Sequence, residues 1–323
     1  QGVNNGLPLY DITCLADSKS TLYAAVGNKG VYVSSDQGDS WKSLSPAIAS
    51  DMIQTLFIDD DETIYIAPRG KGIYKSTDGG ITWQSIGLNH KIMQTIIKCP
   101  NGHFFAGGND GLYRLDASGT WQEVSGDIPE VRVQTVAFDA ASGALYAGTY
   151  GLGVLRSTDN GETWTSVNNG FANVGYGWIE ELVIDEHSTL YAAVSHWQFG
   201  GLYRSIDGGE SWSEIDTGIS HKEFQDVLVE TDDIFLGVLH YGLYHAPQPF
   251  HEWKPKTDGF WFYKTNCLTS DSKGNIYAGT GSGLFRSIDG GATWIERNMG
   301  TNLLDVRVVD RMMDDRVIMG VFL

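Results

Sequence analysis

The chain has 323 residues, 41% of them hydrophobic and 12% aromatic, with 40 glycines and a formal net charge of -18. That charge lacks the cationic surface on which nucleic-acid binding draws and disfavours anionic membrane surfaces, so neutral or cationic partners are expected. No run of 18 apolar residues occurs, so no helical membrane span and no membrane insertion is expected.

Read from the N-terminus, one phrase recurs seven times. It is GVYVSSDQGDSW ending at Trp41, GIYKSTDGGITW at Trp83, GLYRLDASGTW at Trp121 and GVLRSTDNGETW at Trp164. GLYRSIDGGESW follows at Trp212, GLYHAPQPFHEW at Trp253 and GLFRSIDGGATW at Trp294. The Trp-to-Trp steps are 42, 38, 43, 48, 41 and 41 residues, a period that signals a repeat architecture. Within the second unit, the runs at Ile53–Asp59, TIYIAP, GIYKSTD and TWQSIG are short, apolar-patterned and bounded by turn residues, as strands are. Four strands in about 42 residues is the size of one propeller blade. The chain is therefore expected to be all-β, a single β-propeller domain over residues 1–323 with four-stranded antiparallel blades.

Each part of S-x-D-x-G-x-[ST]-W has a physical role. The carboxylates of Asp36, Asp78, Asp159, Asp207 and Asp289 are placed to accept N–H groups inside their own turn. The glycine two residues on permits positive φ, and the Trp is a large apolar plug between blades. The third copy has lost a residue and carries Ser118 at the glycine position, and the sixth keeps only its Trp. Arg114, Arg156, Arg204 and Arg286 recur at one repeat position and read as a solvated stripe.

The motif resembles the Asp-box, or BNR, repeat of β-propeller proteins. That grouping includes sialidases, tandem-propeller xyloglucanases, sortilin-type receptors and a photosystem assembly factor. The resemblance implies the fold and a structural staple, since the members share no chemistry. The Arg-Ile-Pro motif of the sialidases is missing here, so sialidase activity is not expected.

Beyond Trp294, NLLDVRVVD and RVIMGVFL read as the first two strands of a further unit within residues 300–323. Eight blades with an incomplete eighth are expected, with seven as the alternative. The three cysteines, Cys14, Cys99 and Cys267, read as small buried hydrophobes, and no metal site or cofactor is expected. The start at Gln1, without a visible signal peptide, fits a processed chain, and an extracytoplasmic location is expected (periplasmic, cell-surface or secreted).

Two features mark a candidate binding face. The first is a polar column near the start of each innermost strand: Gln54, Gln94, Gln134, Glu180, Gln225, Asn266 and Asp305, with Ile12 in the first unit. It would ring a channel mouth, either bridging strands and holding water or meeting ligand. The second is an arc of aromatic loops in the fourth to seventh units. It comprises Tyr150, Phe171, Tyr176, Trp178, His196, Trp197, Phe199, His240, Tyr241, Phe260, Trp261, Phe262 and Tyr263. Flat rings suit sugar faces or apolar peptide side chains, or they cover one another. Glu180, Glu181, Glu223, Asp226 and Asp258 lie in the same arc, and two of them at a suitable separation would serve glycoside hydrolysis. The expectation is a monomeric, non-catalytic ligand-binding propeller for a glycan or a peptide. The alternatives are a glycoside hydrolase and a protein-assembly scaffold.

Overall fold

In the computed structural model the described residues are 12–18, 21–35, 40–59, 61–124, 131–171, 177–231, 233–255, 265–270, 274–280, 283–296, 305–311 and 317–322. They form seven four-stranded antiparallel sheets and one two-stranded sheet. In chain order we number them sheet 1 (12–43), sheet 2 (53–87), sheet 3 (93–123), sheet 4 (133–166), sheet 5 (178–215), sheet 6 (224–255), sheet 7 (265–296) and sheet 8 (305–322). Within each four-stranded sheet, sequential strands are neighbours, the up-and-down order of propeller blades. The fold is an all-β propeller. The second unit shows how directly the sequence maps on it, with strands Ile53–Ile58, Ile64–Pro68, Ile73–Ser76 and Gln84–Gly87.

The chain divides into two compact units. Unit 1 comprises Gln1–Ile92, His240–Gly242 and Lys256–Leu323, and unit 2 comprises Met93–Leu239 and Leu243–Pro255. In unit 1, the strand Asp305–Arg311 of sheet 8 packs against the first strands of sheets 7 and 1. In unit 2, the first strands of sheets 3, 4, 5 and 6 follow one another as packed neighbours. The expected incomplete eighth unit is thus a strand pair, Asp305–Arg311 with Val317–Phe322.

The core lies between neighbouring sheets, because a lone four-stranded sheet leaves both faces open. Leu182, Leu190, Tyr203 and Trp212 of sheet 5 cluster with Tyr146, Val154 and Val167 on the sheet 4 side. Trp212 is 5% exposed and its Nε1 donates to Val167 O at 2.7 Å. The turns before Trp83, Trp164, Trp212 and Trp294 are stapled as the motif demands. Asp207 accepts from Ser205 Oγ, Ser211 N and Ser211 Oγ, while Gly209 N donates to Ser205 Oγ at 2.8 Å. Gly209 sits at φ +90, which favours glycine. Asp78, Asp159 and Asp289 repeat this geometry, and Asp36 lies outside the described residues. The irregular third turn is also stapled, through Asp116, Ser118 and Thr120, with the positive φ moved to Gly119. Hydrogen bonds to Thr82, Ser118, Thr163, Ser211 and Thr293 lead in holding the carboxyls of Asp78, Asp116, Asp159, Asp207 and Asp289 down at about 2.

The arginine stripe is not simply solvated. Arg114 of sheet 3 donates to Asn160 O at 2.7 Å and Glu162 Oε1 at 2.6 Å in the turn of sheet 4. Arg156 of sheet 4 does the same to Gly208 O at 2.8 Å and Glu210 Oε1 at 2.6 Å in sheet 5. Their side chains are only 16% and 21% exposed. Each arginine clamps its sheet to the next turn along the chain, a partner one repeat away.

All eight first strands carry a register irregularity at the same place. In sheet 5 the pairing steps from Ile179↔Val194 to Glu181↔Ala193 and passes over Glu180. The residues passed over are Thr13, Gln54, Gln94, Gln134, Glu180, Gln225, Asn266 and Arg307. This is the polar column, with its ends corrected. Ile12 pairs with Val26 and Asp305 with Phe322, so the equivalent positions in sheets 1 and 8 are Thr13 and Arg307. An extra residue in one strand breaks strict alternation, which is why two successive residues, such as Gln54 and Thr55 or Glu180 and Glu181, are both half-buried.

Candidate functional site

The site builds up at the end of sheets 4, 5 and 6 opposite the stapled turns. Tyr150 closes the second strand of sheet 4 and forms an isolated antiparallel bridge with Trp178, the first residue of sheet 5. The two rings stack with centroids 5.2 Å apart and planes 28° apart. The Arg132 guanidinium lies over the Tyr150 ring at 4.3 Å, and Tyr150 N donates to Arg132 O at 3.0 Å. Covered in this way, Tyr150 supports Trp178, which is 47% exposed. Along the strand, Ile179 is buried, while Glu180 at the bulge that follows it is half-buried.

Burial first and the charge of Glu180 next raise the Tyr150 hydroxyl, so the two groups are near neighbours. Burial pushes Glu180 up to about 7, against the pull of Arg132 and Tyr150. Its neighbour Glu181 is also raised, first by burial and then by the charge of Asp226 on the first strand of sheet 6. Thr135 Oγ1 of sheet 4 reaches Glu181 Oε1 at 3.5 Å. Glu180 thus feels the Arg132 guanidinium, whereas Glu181 feels the like charge of Asp226 on the next sheet, and burial disfavours the charged form of both glutamates. Gln134, in the same file of first strands, has a buried Oε1 without a hydrogen-bond partner among the described residues. Gln94 is engaged sideways, donating to Asn109 Oδ1 at 2.8 Å.

A second aromatic feature borders the first. Ser195 pairs with Trp178, and the loop that follows turns on His196, whose Nδ1 accepts from Gln198 N at 3.1 Å and Phe199 N at 3.0 Å. Phe199 stacks on the imidazole at 5.1 Å. Gly200 lets the loop lie on sheet 6, since a Cβ there would stand 1.8 Å from Lys222 O. The result projects Trp197, 71% exposed, on a braced loop. His196 and Phe199 thus hold the loop in shape. Phe171 belongs to the core, packed on Tyr203 at 4.6 Å and Trp212 at 4.8 Å.

Of the remaining expected site residues, Glu223 bridges to Ser195 and accepts from Leu239 N through its backbone. Gln225 and Gln54 are half-buried. His240 and Tyr241 belong to unit 1, Tyr241 being 41% exposed. Tyr176, Asp258, Phe260, Trp261, Phe262 and Tyr263 lie outside the described residues, as do the side chains of Asn266 and Asp305. Sequence reasoning overlooked Arg132. Its signal was a lone cation two residues before the column residue Gln134, at the strand mouth that Tyr150 closes. Among the described residues no group of three or more His, Cys, Asp or Glu side chains forms a metal-binding cluster. Cys99 is a buried free thiol that burial pushes up to about 11.

Residues 10–221 match the family model of the DUF6242 beta propeller domain. The chain belongs to this family. None of the curated proteins matches it in sequence. Among solved structures, it is similar to the extracellular domain of BT4673 from B. thetaiotaomicron, with TM-score 0.58 and 18% identity over 95% of this chain and 44% of that one. It is also similar to an ancestral GH74 enzyme (TM-score 0.61, 15% identity, 98% of this chain and 59% of that one). A third is YCF48 bound to D1 peptide (TM-score 0.59, 14% identity, 98% and 92%). At these identities the likeness is one of fold. The chain spans less than half the length of the BT4673 structure.

Proposed function

We propose that this propeller is an extracytoplasmic binding module that takes a glycan or a peptide on the aromatic end of sheets 4, 5 and 6. The observation that carries the reading is Trp178. A large ring left half in water, yet fixed by a stacked tyrosine, is costly to maintain unless a ligand covers it. The braced Trp197 loop adds a second exposed ring on the same sheet. An extracytoplasmic setting draws support from the shared fold of an extracellular domain. Among the described residues no helix is long and apolar enough to cross a membrane.

The test is a glycan and peptide array probed with the full chain, with Trp178→Ala and with Trp197→Ala. Binding that falls at least tenfold in either variant, with an unchanged circular dichroism spectrum, is the expected result. Binding indifferent to both replacements overturns the site.

One observation favours a second reading. A glutamic acid held protonated near neutral pH beside further carboxyls is the equipment of a general acid in glycoside hydrolysis. In that case Glu180 or Glu181 protonates the leaving oxygen and another carboxylate acts on the opposite side of the sugar. A screen of polysaccharides and chromogenic glycosides decides it. Turnover abolished by Glu180→Gln or Glu181→Gln supports hydrolysis, and no turnover on any substrate removes it.

A further inference from the structure

The seam between sheets 5 and 6 is built differently from the seam before it. From that difference we infer that it receives an extended peptide segment of a partner protein, held through its main chain. No residue of the aromatic face takes part.

Between sheets 4 and 5 the main chain itself closes the seam. Trp212 N donates to Asn169 O at 2.7 Å, and its Nε1 donates to Val167 O at 2.7 Å. The approach is so close that a Cβ on Gly170 would stand 1.9 Å from Trp212 O. Arg156 adds its bonds to Gly208 O and Glu210, and Tyr146 Oη donates to Gly208 O at 3.1 Å. One repeat on, the counterparts of Trp212, Asn169 and Gly170 are Trp253, Thr217 and Gly218. Among the described residues none of these closures recurs. Trp253 Nε1 turns back to Phe250 O of its own turn at 3.0 Å. Trp253 N and Thr217 O have no hydrogen-bond partner there. Nothing comes within 4 Å of a Cβ built on Gly218. His251 takes the place of Glu210, so Arg204 meets no carboxylate at that position.

What holds this seam is an apolar plug. Phe250, 4% exposed, packs with Tyr191, Leu202 and Ile219. Two cavities border the turn that carries it. One of about 430 Å³ is lined by residues 216–218 and 251–254. The other, about 290 Å³, has Tyr191, Glu230 and Gln248 in its walls. The larger one is the size of a ligand site. The donor and acceptor that bond each other between sheets 4 and 5 here line one cavity from two sheets. A peptide unit carries one acceptor and one donor. A single extended segment between Trp253 and Thr217 therefore answers both, as strand addition does at a sheet edge. An apolar side chain answers neither. The half-buried Trp253 adds a ring to the same wall.

The experiment is amide NMR of the isotope-labelled full chain titrated with end-capped peptides. The probes are Ser-Thr-Val-Thr-Ser, two versions with the valine replaced by lysine or glutamate, and one N-methylated at alternate residues. Chitobiose serves as an amide-bearing sugar. At least one unmethylated peptide is expected to shift the amides of Thr217, Gly218, Trp253 and Lys254 saturably. N-methylation is expected to weaken that binding at least tenfold. His251→Trp, which fills the larger cavity from an exposed position, is expected to weaken it as much. So is replacement of residues 246–252 by the sequence of residues 205–211, which restores the box. Trp178→Ala is expected to leave it unchanged, and melting temperatures separate these effects from unfolding.

No saturable shift from any peptide at about 10 mM overturns the inference. Affinity indifferent to N-methylation or to His251→Trp overturns it as well. Shifts from chitobiose with none from the peptides make the occupant a sugar, and shifts that grow with protein concentration alone make it a second copy. Either result overturns the peptide partner. Binding lost in Trp178→Ala moves the peptide from the seam to the aromatic face.

Discussion

The two ends of the same sheets obey opposite electrostatic logic. At the stapled end, the carboxyls of Asp159 and Asp207 are held down at about 2 by hydroxyl and backbone N–H groups of their own turns. At the other end, Glu180 is pushed up to about 7 by burial, and Glu181 is raised as well. At one end the aspartates are satisfied within their own turns, and it is the end that repeats. The other leaves carboxyls uncomfortable, exposes Trp178 and Trp197, and differs from sheet to sheet. A repeat preserves what each sheet needs in order to pack. Departures from it mark where individual sheets are free to do something else.

The tryptophans give the largest contrast. Trp212 is buried between sheets 4 and 5 with its indole N–H bonded to Val167 O. Trp212→Ala is expected to cost about 3–5 kcal/mol of stability. Trp178→Ala removes one half-exposed stack and is expected to cost about 1 kcal/mol. Urea unfolding of both variants measures the difference. Equal losses would show that Trp178 is a core residue and not a platform.

A second contrast lies in the pH dependence, and the two ends carry opposite signs. Each staple aspartate has a folded pKa below its unfolded one, so its contribution is present above about 4 and is lost as the pH falls toward about 2. Asp207→Asn should therefore flatten part of the acid-side fall. Glu180 has its folded pKa above the unfolded value. Its cost is absent below about 4.5, grows as the unfolded chain gives up the proton first, and is complete above about 7. Glu180→Gln is expected to be more stable than the parent at pH 8 by at most about 3 kcal/mol, and indistinguishable at pH 4. Denaturant midpoints of the three proteins across pH 2–8 provide the check. A Glu180→Gln curve parallel to the parent's would mean that Glu180 titrates as an ordinary surface acid.

How much of this was legible in the sequence follows from where each partner lies. The staple is confined to a few residues, so Ser205, Asp207, Gly209 and Trp212 declared their roles within one phrase. The polar column was visible because it repeats, but its terminal members were misaligned by the bulge, which places Thr13 and Arg307 where Ile12 and Asp305 were expected. A bulge changes register without leaving a residue-type signal. The site needs contacts between sheets. Arg132, Tyr150 and Trp178 come from two repeats, and the Glu181–Asp226 repulsion crosses to a third. Aromatic enrichment marked the right region yet could not tell the platform Trp178 from the core Phe171 seven residues earlier. The difference is a matter of which ring finds Trp212 to lie on.

The smallest expected effect concerns the arginine clamps, which carry the comparison from the two ends to the seams between sheets. Arg156 reaches Gly208 O and Glu210 in the stapled turn of sheet 5. The equivalent residue of sheet 5, Arg204, precedes a sixth turn in which the box has been replaced by APQPFHEW, and makes no hydrogen bond or ion pair to it among the described residues. The clamp thus ends where the motif ends. Glu210 is largely exposed, so its ion pair adds little, and most of the effect belongs to the backbone acceptor and the packed arginine stem. Arg156→Ala is expected to cost about 1–2 kcal/mol, and Arg204→Ala about 1 kcal/mol less. Glu210→Gln, which spares the Gly208 contact, should fall below about 0.5 kcal/mol. Unfolding midpoints for the three variants settle whether the carbonyl or the carboxylate is the working half of the clamp. A Glu210→Gln loss as large as that of Arg156→Ala would assign it to the ion pair, and the seam between sheets 5 and 6 would then differ from its neighbours for a reason other than the missing turn.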